Sequence, residues 1–491
     1  MNYKFVAKYL GILTLALGLL MIPSLVWAAY YQEWQTLIAF SKSIVATVVA
    51  SGILFAFGRN ASDTMSQREA LLMVALSWFV ASFVGALPYI TTGSLNIVDS
   101  IFESASGFTT TGSTVIQDIE AQPKSLLFWR ALSQWLGGVG IVVLFIAVLP
   151  YLGAGGKQLF KNESTGTDPR GITPRIKDTA SMLYKTYFAL TISLILILML
   201  AGMPFFDAIC HTFTTLSTGG FSTKQASIAA FDSVAIETII MVFMIVGGTN
   251  LILIFAMFSR DWKTPFKDTE WRWFVTIICV VIMIITANLS LGTHFQNDLP
   301  QDESYSPIDS LRIASFQTVS LLTGTGFGIH NYDQWPHFSR MLLFTVMFLG
   351  GCAGSTAGGL KIVRVVMLTK IAYWRIENTF RPKTVRAIRI GNNVIDDDTR
   401  KTVHAFFVIY ITLFILGTIF MSGVGLPFES AMSTVASTLN NIGPGFDMVG
   451  PMQDYSQIPG IGKLFLCLCM ILGRLELFSI CVLFIPGFWR R

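Results

Sequence analysis

Charged residues are scarce in this sequence. Only 13% of its 491 residues are Asp, Glu, Lys or Arg, whereas 53% are hydrophobic and the mean hydropathy is +0.61. A soluble domain usually carries roughly 25% charged residues. Several apolar runs, such as 71–90, 186–205 and 406–425, reach the ~20 residues needed to cross a bilayer. The composition therefore excludes an ordinary soluble domain and indicates a polytopic membrane protein.

Motifs for metal binding, nucleotide binding and hydrolysis are also missing. The six cysteines form no CxxC, and the five histidines stand apart from any cysteine pair, which argues against a zinc site or a disulfide framework. There is no P-loop and no GxGxxG after a strand, so nucleotide control would require another subunit. Ser355 lacks a GxSxG context, so we reject an intramembrane serine protease. We expect neither an enzyme nor a nucleic-acid partner.

The basic residues are concentrated on what we interpret as one side of the membrane. They cluster in 156–177, 259–272, 364–389 and near both termini, whereas 296–309 is acidic. Cytoplasmic loops carry an excess of Lys and Arg. This distribution predicts that both termini are cytoplasmic, and a docking surface for a cytoplasmic partner is a further possibility.

Ten spans are predicted, and the first resembles a signal peptide. Its apolar run of about 20 residues exceeds the roughly 7–15 of a signal core, so we interpret it as a retained helix. An even number of spans agrees with two basic termini on one side. The ten predicted spans are 5–28, 36–57, 70–91, 128–151, 181–203, 234–257, 271–291, 338–375, 402–424 and 460–487.

Four segments too short to cross the membrane lie between the spans and indicate an internal repeat. Each begins near an acid and ends in a stretch rich in Gly, Thr or Asn. They are 99–113, 205–223, 309–328 and 427–446. A Gly pair or Gly-Arg follows in each returning span, as in "WLGGVG", "IVGGTN", "FLGGCAGS" and "ILGRLEL", where small residues let helices approach closely. The repeating unit is therefore span, short helix, loop and span, over residues 70–487.

Non-helical backbone at membrane depth survives only when it is buried in protein or lines an aqueous cavity. Four such loops around one axis can present rings of carbonyl oxygens that replace the water shell of a cation. The acids at the starts of the short helices complement the positive end of the helix dipole, so the carbonyl ends point towards the loops. No loop carries a carboxylate beside its glycine, which favours a monovalent ion over Ca²⁺ or Mg²⁺.

Over essentially its whole length the chain resembles the Trk/Ktr/HKT superfamily of potassium-translocating proteins, specifically the bacterial TrkH/TrkG branch. The motifs that carry the resemblance are "TTTGS", "STGGF", "TGTGF" and "NNIGPG". The resemblance implies an all-α membrane protein of ten transmembrane helices, with four helix–pore-loop–helix repeats around a central pore and two extra N-terminal helices. The implied divisions are 1–69 for the two extra helices and 70–155, 156–260, 261–390 and 391–491 for the four repeats.

By the same resemblance the four loops form a potassium filter, with no organic cofactor in this chain. The filter glycines are expected at Gly112, Gly220, Gly326 and Gly443, while Gly219 and Gly445 remain alternatives in the second and fourth loops. Sodium-favouring plant relatives carry Ser in place of the first glycine, so Gly112 implies potassium. The expected K⁺-binding residues are Thr110, Thr111, Gly112, Thr218, Gly219, Gly220, Thr325, Gly326, Asn441, Ile442 and Gly443.

Span 338–375 is too long for one crossing, and five of the ten residues in 350–359 are glycine. A helix is not expected to continue through them. A packing kink is one reading; the other, which the resemblance supports, is an intramembrane gating loop. Arg474 lies deep in the last span, where a charge requires a partner or a cavity. It either forms a structural salt bridge to another helix or faces the pore below the filter and contacts this loop. The expected gating residues are Gly350, Gly351, Gly354, Ser355, Thr356, Gly358, Gly359 and Arg474.

The function implied is potassium uptake across the bacterial inner membrane through a gated, channel-like pore. The alternative is a proton- or sodium-coupled symporter, which would need titratable groups in the core, where Glu476 and His211 are the candidates besides the non-titrating Arg474. The resemblance also implies a lipid-embedded homodimer and a cytoplasmic nucleotide-binding subunit resembling TrkA. Residues 364–401 are the candidate contact segment.

Overall fold

The computed structural model describes residues 1–61, 66–140, 176–259, 261–291, 306–381, 389–391, 393–395, 397–475 and 477–490. These residues are overwhelmingly helical, as predicted. The only strands among them are two antiparallel pairs of residues, β1 (Arg389–Ile390) and β2 (Asn393–Val394). The predicted basic loop 156–177 lies almost entirely outside the described residues, as does most of the acidic loop 296–309.

An N-terminal hairpin precedes the repeats. Helices α1 (Tyr3–Leu20) and α2 (Ile22–Tyr30) together form one apolar segment, and α3 (Trp34–Gly58) packs along α1. Gly18 permits this packing, because a Cβ atom built on it would lie 2.9 Å from the Thr47 side chain. The first two predicted spans are confirmed as helices.

The described part of the predicted first repeat contains a long helix, a short helix, a loop and a returning helix. Its helices are α4 (Gln67–Thr92), α5 (Ile97–Phe108) and α6 (Lys124–Gly138). Asn96 caps α5 by accepting the N–H of Asp99 at 2.9 Å, so the short helix begins where an acid meets its positive end. The predicted span 128–151 continues beyond the described residues after 140.

The second repeat contains a break that the sequence analysis missed. Its helices are α7 (Ile176–Leu200), α8 (Phe205–Leu216), α9 (Val234–Gly247) and α10 (Leu251–Ser259). The predicted span 234–257 is therefore wrong as one helix, since α9 and α10 meet at 103°. The carbonyl of Gly248 in the break accepts the N–H of Cys352 at 2.8 Å, so a contact from the third repeat replaces the helical hydrogen bond.

The third repeat contains the predicted interruption of its returning span. Its helices are α11 (Thr264–Lys267), α12 (Thr269–Leu291), α13 (Pro307–Leu322), α14 (His337–Val346) and α15 (Ile362–Phe380). Helix α14 ends before the glycine-rich stretch 350–359 and α15 begins after it. The hairpin of β1 and β2 follows α15, and Lys370 of that helix donates to the Arg389 carbonyl at 2.7 Å.

The fourth repeat also ends in a broken span. Its helices are α16 (Asp397–Gly423), α17 (Phe428–Leu439), α18 (Gly460–Arg474), α19 (Leu477–Cys481) and α20 (Pro486–Trp489). The prediction of one helix over 460–487 is wrong, because α18 stops at Arg474 and Leu475 adopts an extended conformation. Short 3₁₀ turns occur in the connections at Ser227–Phe231, Tyr332–Gln334, Asp447–Val449 and Val482–Phe484.

Six helical segments in the described parts of the chain are long and apolar enough to cross a membrane, or seven with the bent pair α9–α10. The returning helices α6, α14 and α18 have only 10 to 15 residues, so the total of ten crossings stays a prediction. The long helices expose apolar side chains outward, whereas α5, α8, α13 and α17 are mostly buried. The short helices and their loops thus occupy the centre of the protein.

The glycines of the returning helices allow the close approach that was predicted. A Cβ atom on Gly137 would lie 1.9 Å from the carbonyl oxygen of Phe108, and one on Gly473 would lie 2.1 Å from that of Leu439. Phe108 and Leu439 are the last residues of α5 and α17. The same contact therefore recurs in the first and fourth repeats, and only glycine fits it.

Candidate functional site

The four loops after the short helices share one backbone conformation. In each loop an N–H bonds to a carbonyl five residues earlier, at 2.8–3.0 Å. The donors Thr111, Gly219, Thr325 and Ile442 bond to the carbonyls of Ser106, Thr214, Ser320 and Ser437. Left-handed residues flank each donor on both sides. The preceding ones are Thr110, Thr218, Gly324 and Asn441, with φ from 53° to 72°, and the following ones are Gly112, Gly220, Gly326 and Gly443, with φ from 75° to 103°.

The shared conformation distinguishes between the alternative glycines. Gly220 and Gly443 take the left-handed position that corresponds to Gly112, whereas Gly219 and Gly445 do not have a positive φ. A Cβ atom on Gly445 would instead meet the Ser433 hydroxyl at 2.2 Å. Gly220 and Gly443 are therefore the structural equivalents of Gly112, as the sequence analysis preferred.

The four loops meet in one closed ring. A Cβ atom built on the left-handed glycine of each loop would collide with a carbonyl oxygen of the next loop, and the fourth loop returns to the first. The distances are 2.2 Å from Gly112 to Gly219, 1.7 Å from Gly220 to Thr325, 2.0 Å from Gly326 to Ile442 and 2.7 Å from Gly443 to Thr111. These positions require glycine for two reasons, the left-handed backbone and the contact with the neighbouring loop.

The ring presents neutral oxygen atoms. The carbonyl oxygens of Thr110, Thr218 and Asn441 accept no hydrogen bond in the described structure. The side chains of Thr110 and Asn441 lie against the returning helices, because Cβ atoms built on Gly137 and Gly473 would be 3.1 Å from Thr110 Cγ2 and 2.7 Å from Asn441 Oδ1. The described residues contain no group of three His, Cys, Asp or Glu side chains that could hold a metal ion. The geometry favours contact with a weakly hydrated cation of low charge.

A buried ion pair behind the ring was missed by the sequence analysis. Arg130 on α6 donates through Nε to Glu103 on α5 at 2.6 Å and through a terminal nitrogen to the Ser222 carbonyl at 2.8 Å. Glu103 also accepts the N–H of Val115 at 3.0 Å. The pair thus connects the exit of the first loop with the exit of the second. Glu103 and Arg130 are only 0% and 2% exposed.

One helical turn after Arg130, Gln134 holds the second loop directly. Its Nε2 atom donates to the Gly219 carbonyl at 2.7 Å, and its Oε1 atom accepts the N–H of Phe221 at 3.0 Å. The fourth loop has a comparable support, since Ser437 and Tyr455 donate to the Gly443 carbonyl at 2.6 and 2.7 Å. Side chains from outside the two loops therefore hold their left-handed backbone in place.

The glycine-rich segment 350–359 forms a loop whose two ends are joined. The N–H of Gly350 donates to the Leu360 carbonyl at 2.8 Å, and that of Ile362 donates to the Gly351 carbonyl at 3.2 Å. The tip lies against the ring of loops, because a Cβ atom on Gly358 would be 2.7 Å from Asn441 Oδ1. We use the name gating segment for residues 350–362. The structure thus places two of the predicted gating glycines, Gly358 and Gly359, against the fourth loop, whereas Gly351 and Gly354 lie against Gly248 and Asn250 in the break between α9 and α10.

Thr356 at the tip of the gating segment binds to the second repeat. Its hydroxyl lies 2.9 Å from the Leu216 carbonyl at the end of α8 and 3.0 Å from the Gly247 carbonyl at the end of α9. Its N–H also donates to Gly247 at 3.3 Å. Ser355, by contrast, donates only within the segment, to the Cys352 carbonyl at 2.6 Å.

Of the two alternatives considered for Arg474, the structure shows the contact with the gating segment. Its guanidinium donates to the Thr356 carbonyl at 2.5 Å and to the carbonyls of Gly137 and Gly138 at 2.6 and 3.1 Å. One charged side chain therefore bridges the fourth, third and first repeats. Glu476, the nearby acid considered in the sequence analysis, lies outside the described residues.

A polar cavity of about 390 Å³ lies between the third and fourth repeats, next to the start of α17. Arg340 bonds to Glu429 there and lies 3.9 Å from Asp333. Asp333 also accepts the N–H of Asp447 at 3.4 Å. Burial raises the pKa of Asp333 from 3.8 to about 6, although Arg340 opposes this change.

The sequence matches a known protein family and several of its members. The family described as TrkH, cation transport protein, matches residues 37–490. This chain belongs to the TrkH family. The Trk system potassium uptake proteins TrkH of Salmonella typhimurium and of Halomonas elongata are 38% and 36% identical to it over 496 and 497 residues, with all of each chain covered.

A solved structure agrees over the full length as well. The crystal structure of the potassium transporter TrkH from Vibrio parahaemolyticus matches with a TM-score of 0.87 and 34% identity, covering 100% of both chains. The predicted TrkH branch of the superfamily is thus confirmed, as is the prediction that the protein is not an enzyme, because the TrkH family transports cations. The chain is an integral membrane protein of this family.

Proposed function

We propose that this chain takes up potassium through a central pore in which the four loops form the selectivity filter. The relatives named above are potassium uptake proteins. The observation that carries the proposal is the closed ring, in which four loops repeat one backbone conformation and each glycine meets the next loop. Four quadrants with inward backbone oxygens provide the ligands that a dehydrated alkali ion requires.

The chemistry of the ring supports potassium as the transported ion. Its oxygens are backbone carbonyls of uncharged residues such as Thr110, Thr218 and Asn441, and not carboxylates, which Ca²⁺ and Mg²⁺ sites usually include. The first loop carries Gly112, where sodium-favouring relatives are expected to carry Ser. The filter would be formed by Thr110, Thr111, Gly112, Thr218, Gly219, Gly220, Thr325, Gly326, Asn441, Ile442 and Gly443.

The gating segment would control the pore from the cytoplasmic side of the filter. Its tip lies against Asn441 of the fourth loop and is held by Thr356 and Arg474. Glycines supply hinges, because they accept large changes of backbone conformation, and Gly354 and Gly359 already have φ of 74° and 71°. Moving the segment requires that the Arg474 hydrogen bonds break, which makes this residue part of the barrier.

Coupled symport is the alternative mechanism, and the buried titratable groups decide how well it is supported. His211 is fully buried at the second loop, but its two ring nitrogens lie 2.9 Å from the Ser222 hydroxyl and 2.8 Å from the Asp207 carbonyl. Glu103 is paired with Arg130. Both groups have structural partners, so we favour a pore in which potassium moves down its electrochemical gradient. Single-channel recording distinguishes the two mechanisms.

We extend the proposal to the repeat boundaries, the assembly and the partner subunit. The divisions would be 1–69 for the extra helices and 70–155, 156–260, 261–390 and 391–491 for the pore repeats. We propose a homodimer in the bacterial inner membrane with both termini in the cytoplasm. A nucleotide-binding subunit resembling TrkA would dock on the cytoplasmic face, where residues 364–401 are the candidate contact.

The test of the filter is ⁸⁶Rb⁺ flux into liposomes that contain the purified chain, with K⁺ and Na⁺ as competitors. We expect K⁺ to compete far better than Na⁺, and Gly112→Ser to reduce this preference, because its Cβ would lie 2.2 Å from the Gly219 oxygen. Gly52→Ala is the matched control, since a Cβ there meets nothing within 4 Å. Equal competition by K⁺ and Na⁺ in the unmodified protein, or unchanged selectivity in Gly112→Ser, would contradict the proposal.

A further inference from the structure

Helix α15 begins without a cap of its own. It starts immediately after the gating segment, its N-cap residue is Lys361, and it has neither a side-chain cap nor an acid in its first turn. A cation is unfavourable at this end, where the helix dipole is positive and the first N–H groups lack partners. The buried Lys361 ammonium bonds instead to the Ala357 carbonyl within the segment. The start of α15 therefore depends on a group from elsewhere in the protein.

Glu270 on α12 supplies that group. One of its carboxylate oxygens accepts the N–H of Val363, in the first turn of α15, at 3.0 Å. The same oxygen accepts the N–H of Ala353, on the other strand of the gating segment, at 2.7 Å. A single carboxylate from a different helix thus ties together the entry and the exit of the segment. Hydrogen bonds to a charged acceptor are roughly twice as strong as neutral ones.

The same region connects to the cytoplasmic hairpin. Ala353 and Val363 are buried in a small apolar cluster with Met367 of α15, Ile395 just after β2 and Val403 of α16. Glu270 is the second residue of α12 and lies within the basic stretch 259–272. The carboxylate therefore lies between the cytoplasmic surface and the gating segment, where a displacement of α12 would act on both ends of the segment at once.

We propose that Glu270 is a positioning residue that holds the gating segment in its pore-blocking position. It does so by capping α15 and fastening the two ends of the segment to α12. This inference rests on the proposed function of the segment as a gate. Thr356 and Arg474 hold the tip, whereas Glu270 holds the base. Release of either attachment is expected to favour the open pore.

The experiment uses the full chain in liposomes and the variants Glu270→Ala and Glu270→Gln. We expect ⁸⁶Rb⁺ flux to rise by at least roughly tenfold in Glu270→Ala, because two charge-assisted hydrogen bonds are lost. The rise should be smaller in Glu270→Gln, whose amide oxygen still accepts. Glu69→Ala is the matched control, because Glu69 is also an acid in the first turn of a helix and its carboxylate also accepts two backbone N–H groups, from Ser66 at 2.8 Å and Asn2 at 2.6 Å.

A second measurement is independent of transport. Cys352 adjoins Ala353 and is only 1% exposed, so a water-soluble maleimide should label it slowly. Labelling, followed by peptide mass spectrometry, is expected to accelerate in Glu270→Ala, whereas the buried Cys210 on α8 remains unlabelled in a folded protein and serves as the internal reference.

The outcomes separate the inference from the proposal on which it rests. Faster flux together with faster Cys352 labelling supports the role of Glu270. Unchanged labelling in a folded Glu270→Ala protein overturns it. Unchanged flux in Glu270→Ala, while Thr356→Val raises flux, also overturns it but leaves the gate intact. If neither variant changes the flux of a selective pore, the gate itself is wrong.

Discussion

The substitution Thr356→Val tests whether the tip of the gating segment is held closed by hydrogen bonds. Valine has nearly the shape of threonine but no hydroxyl. The Thr356 hydroxyl has one proton, which it shares between the carbonyls of Leu216 and Gly247 at 2.9 and 3.0 Å. Gly247 keeps the N–H of Thr356 as a donor at 3.3 Å, whereas the Leu216 carbonyl loses its donor from the segment.

The magnitude follows from these contacts. Thr356 is 2% exposed, and leaving a buried acceptor without its donor costs about 1–3 kcal/mol. We expect the closed state to lose ~1–2 kcal/mol of stability, because the Gly247 carbonyl keeps the N–H of Thr356 as its donor. This loss corresponds to a factor of roughly 5–30 in the ratio of open to closed pores. If the closed pore predominates, the open population and the ⁸⁶Rb⁺ flux should rise by the same factor.

Ser355→Ala provides the comparison for this assay. Ser355 is the neighbouring residue and also loses a hydroxyl, but its bond to the Cys352 carbonyl stays within the segment. We expect its flux to remain near that of the unmodified protein. Equal flux in the two variants, both folded and inserted, would refute the reasoning that contacts between the tip and the second repeat keep the pore closed.

Three further predictions concern Arg474, the ion pair and the outer cavity. Arg474→Ala should raise ⁸⁶Rb⁺ flux, because it removes the hydrogen bonds to the gating segment; normal expression with unchanged flux would count against it. Arg130→Met should lower the free energy of unfolding in detergent by about 3–5 kcal/mol, since Glu103 is left buried and unpaired, and adding Glu103→Gln should restore part of the loss. Asp333 binds its proton more tightly when folded, with a pKa of about 6 against 3.8, so stability should fall as pH rises from 3.8 to 6. Asp333→Asn should flatten this pH dependence of the thermal midpoint; an unchanged slope would show that other groups cause it.

The repeated elements were predictable from the sequence because their signals are local. An acid at the start of a short helix and a glycine 13 to 17 residues later mark each quadrant, as Asp99 and Gly112 do in the first. Glycine is favoured there because the backbone is left-handed, with a φ of 87° at Gly112. The interruption at 350–359 was predictable for the same reason, since five glycines in ten residues weaken any helix.

The supports behind the loops were not predictable, because they join residues that are distant in sequence. Gln134 contacts Gly219, which is 85 residues away, and Glu270 contacts Ala353, which is 83 residues away. No spacing marks such pairs in a single sequence. Arg130 and Gln134, two polar residues one turn apart in the predicted span 128–151, were the available signal. The sequence analysis assigned a role to neither.

The break between α9 and α10 was missed although its signal was present. Gly247 and Gly248 were interpreted as a close packing contact, and the same type of glycine pair precedes the predicted break in the third repeat. What decides between packing and breaking is the partner. The Gly248 carbonyl accepts the N–H of Cys352, and the Gly247 carbonyl accepts the hydroxyl of Thr356. The broken helix therefore provides the surface on which the gating segment lies.

The fourth loop makes the ring asymmetric, and its Asn441 connects the ring of loops to the gating segment. Asn441 occupies the position held by Thr in the first two loops, and its Nδ2 atom donates to the Thr111 hydroxyl at 2.9 Å and to the Met470 carbonyl at 2.9 Å. Its Oδ1 atom has no partner and faces Gly358 of the gating segment. A threonine cannot reach both neighbours and still present a carbonyl-like oxygen to the segment. One side chain therefore contacts the first loop, the last returning helix and the gating segment. The quadrant that departs most from the repeat is thus the one that joins the ring of loops to this segment.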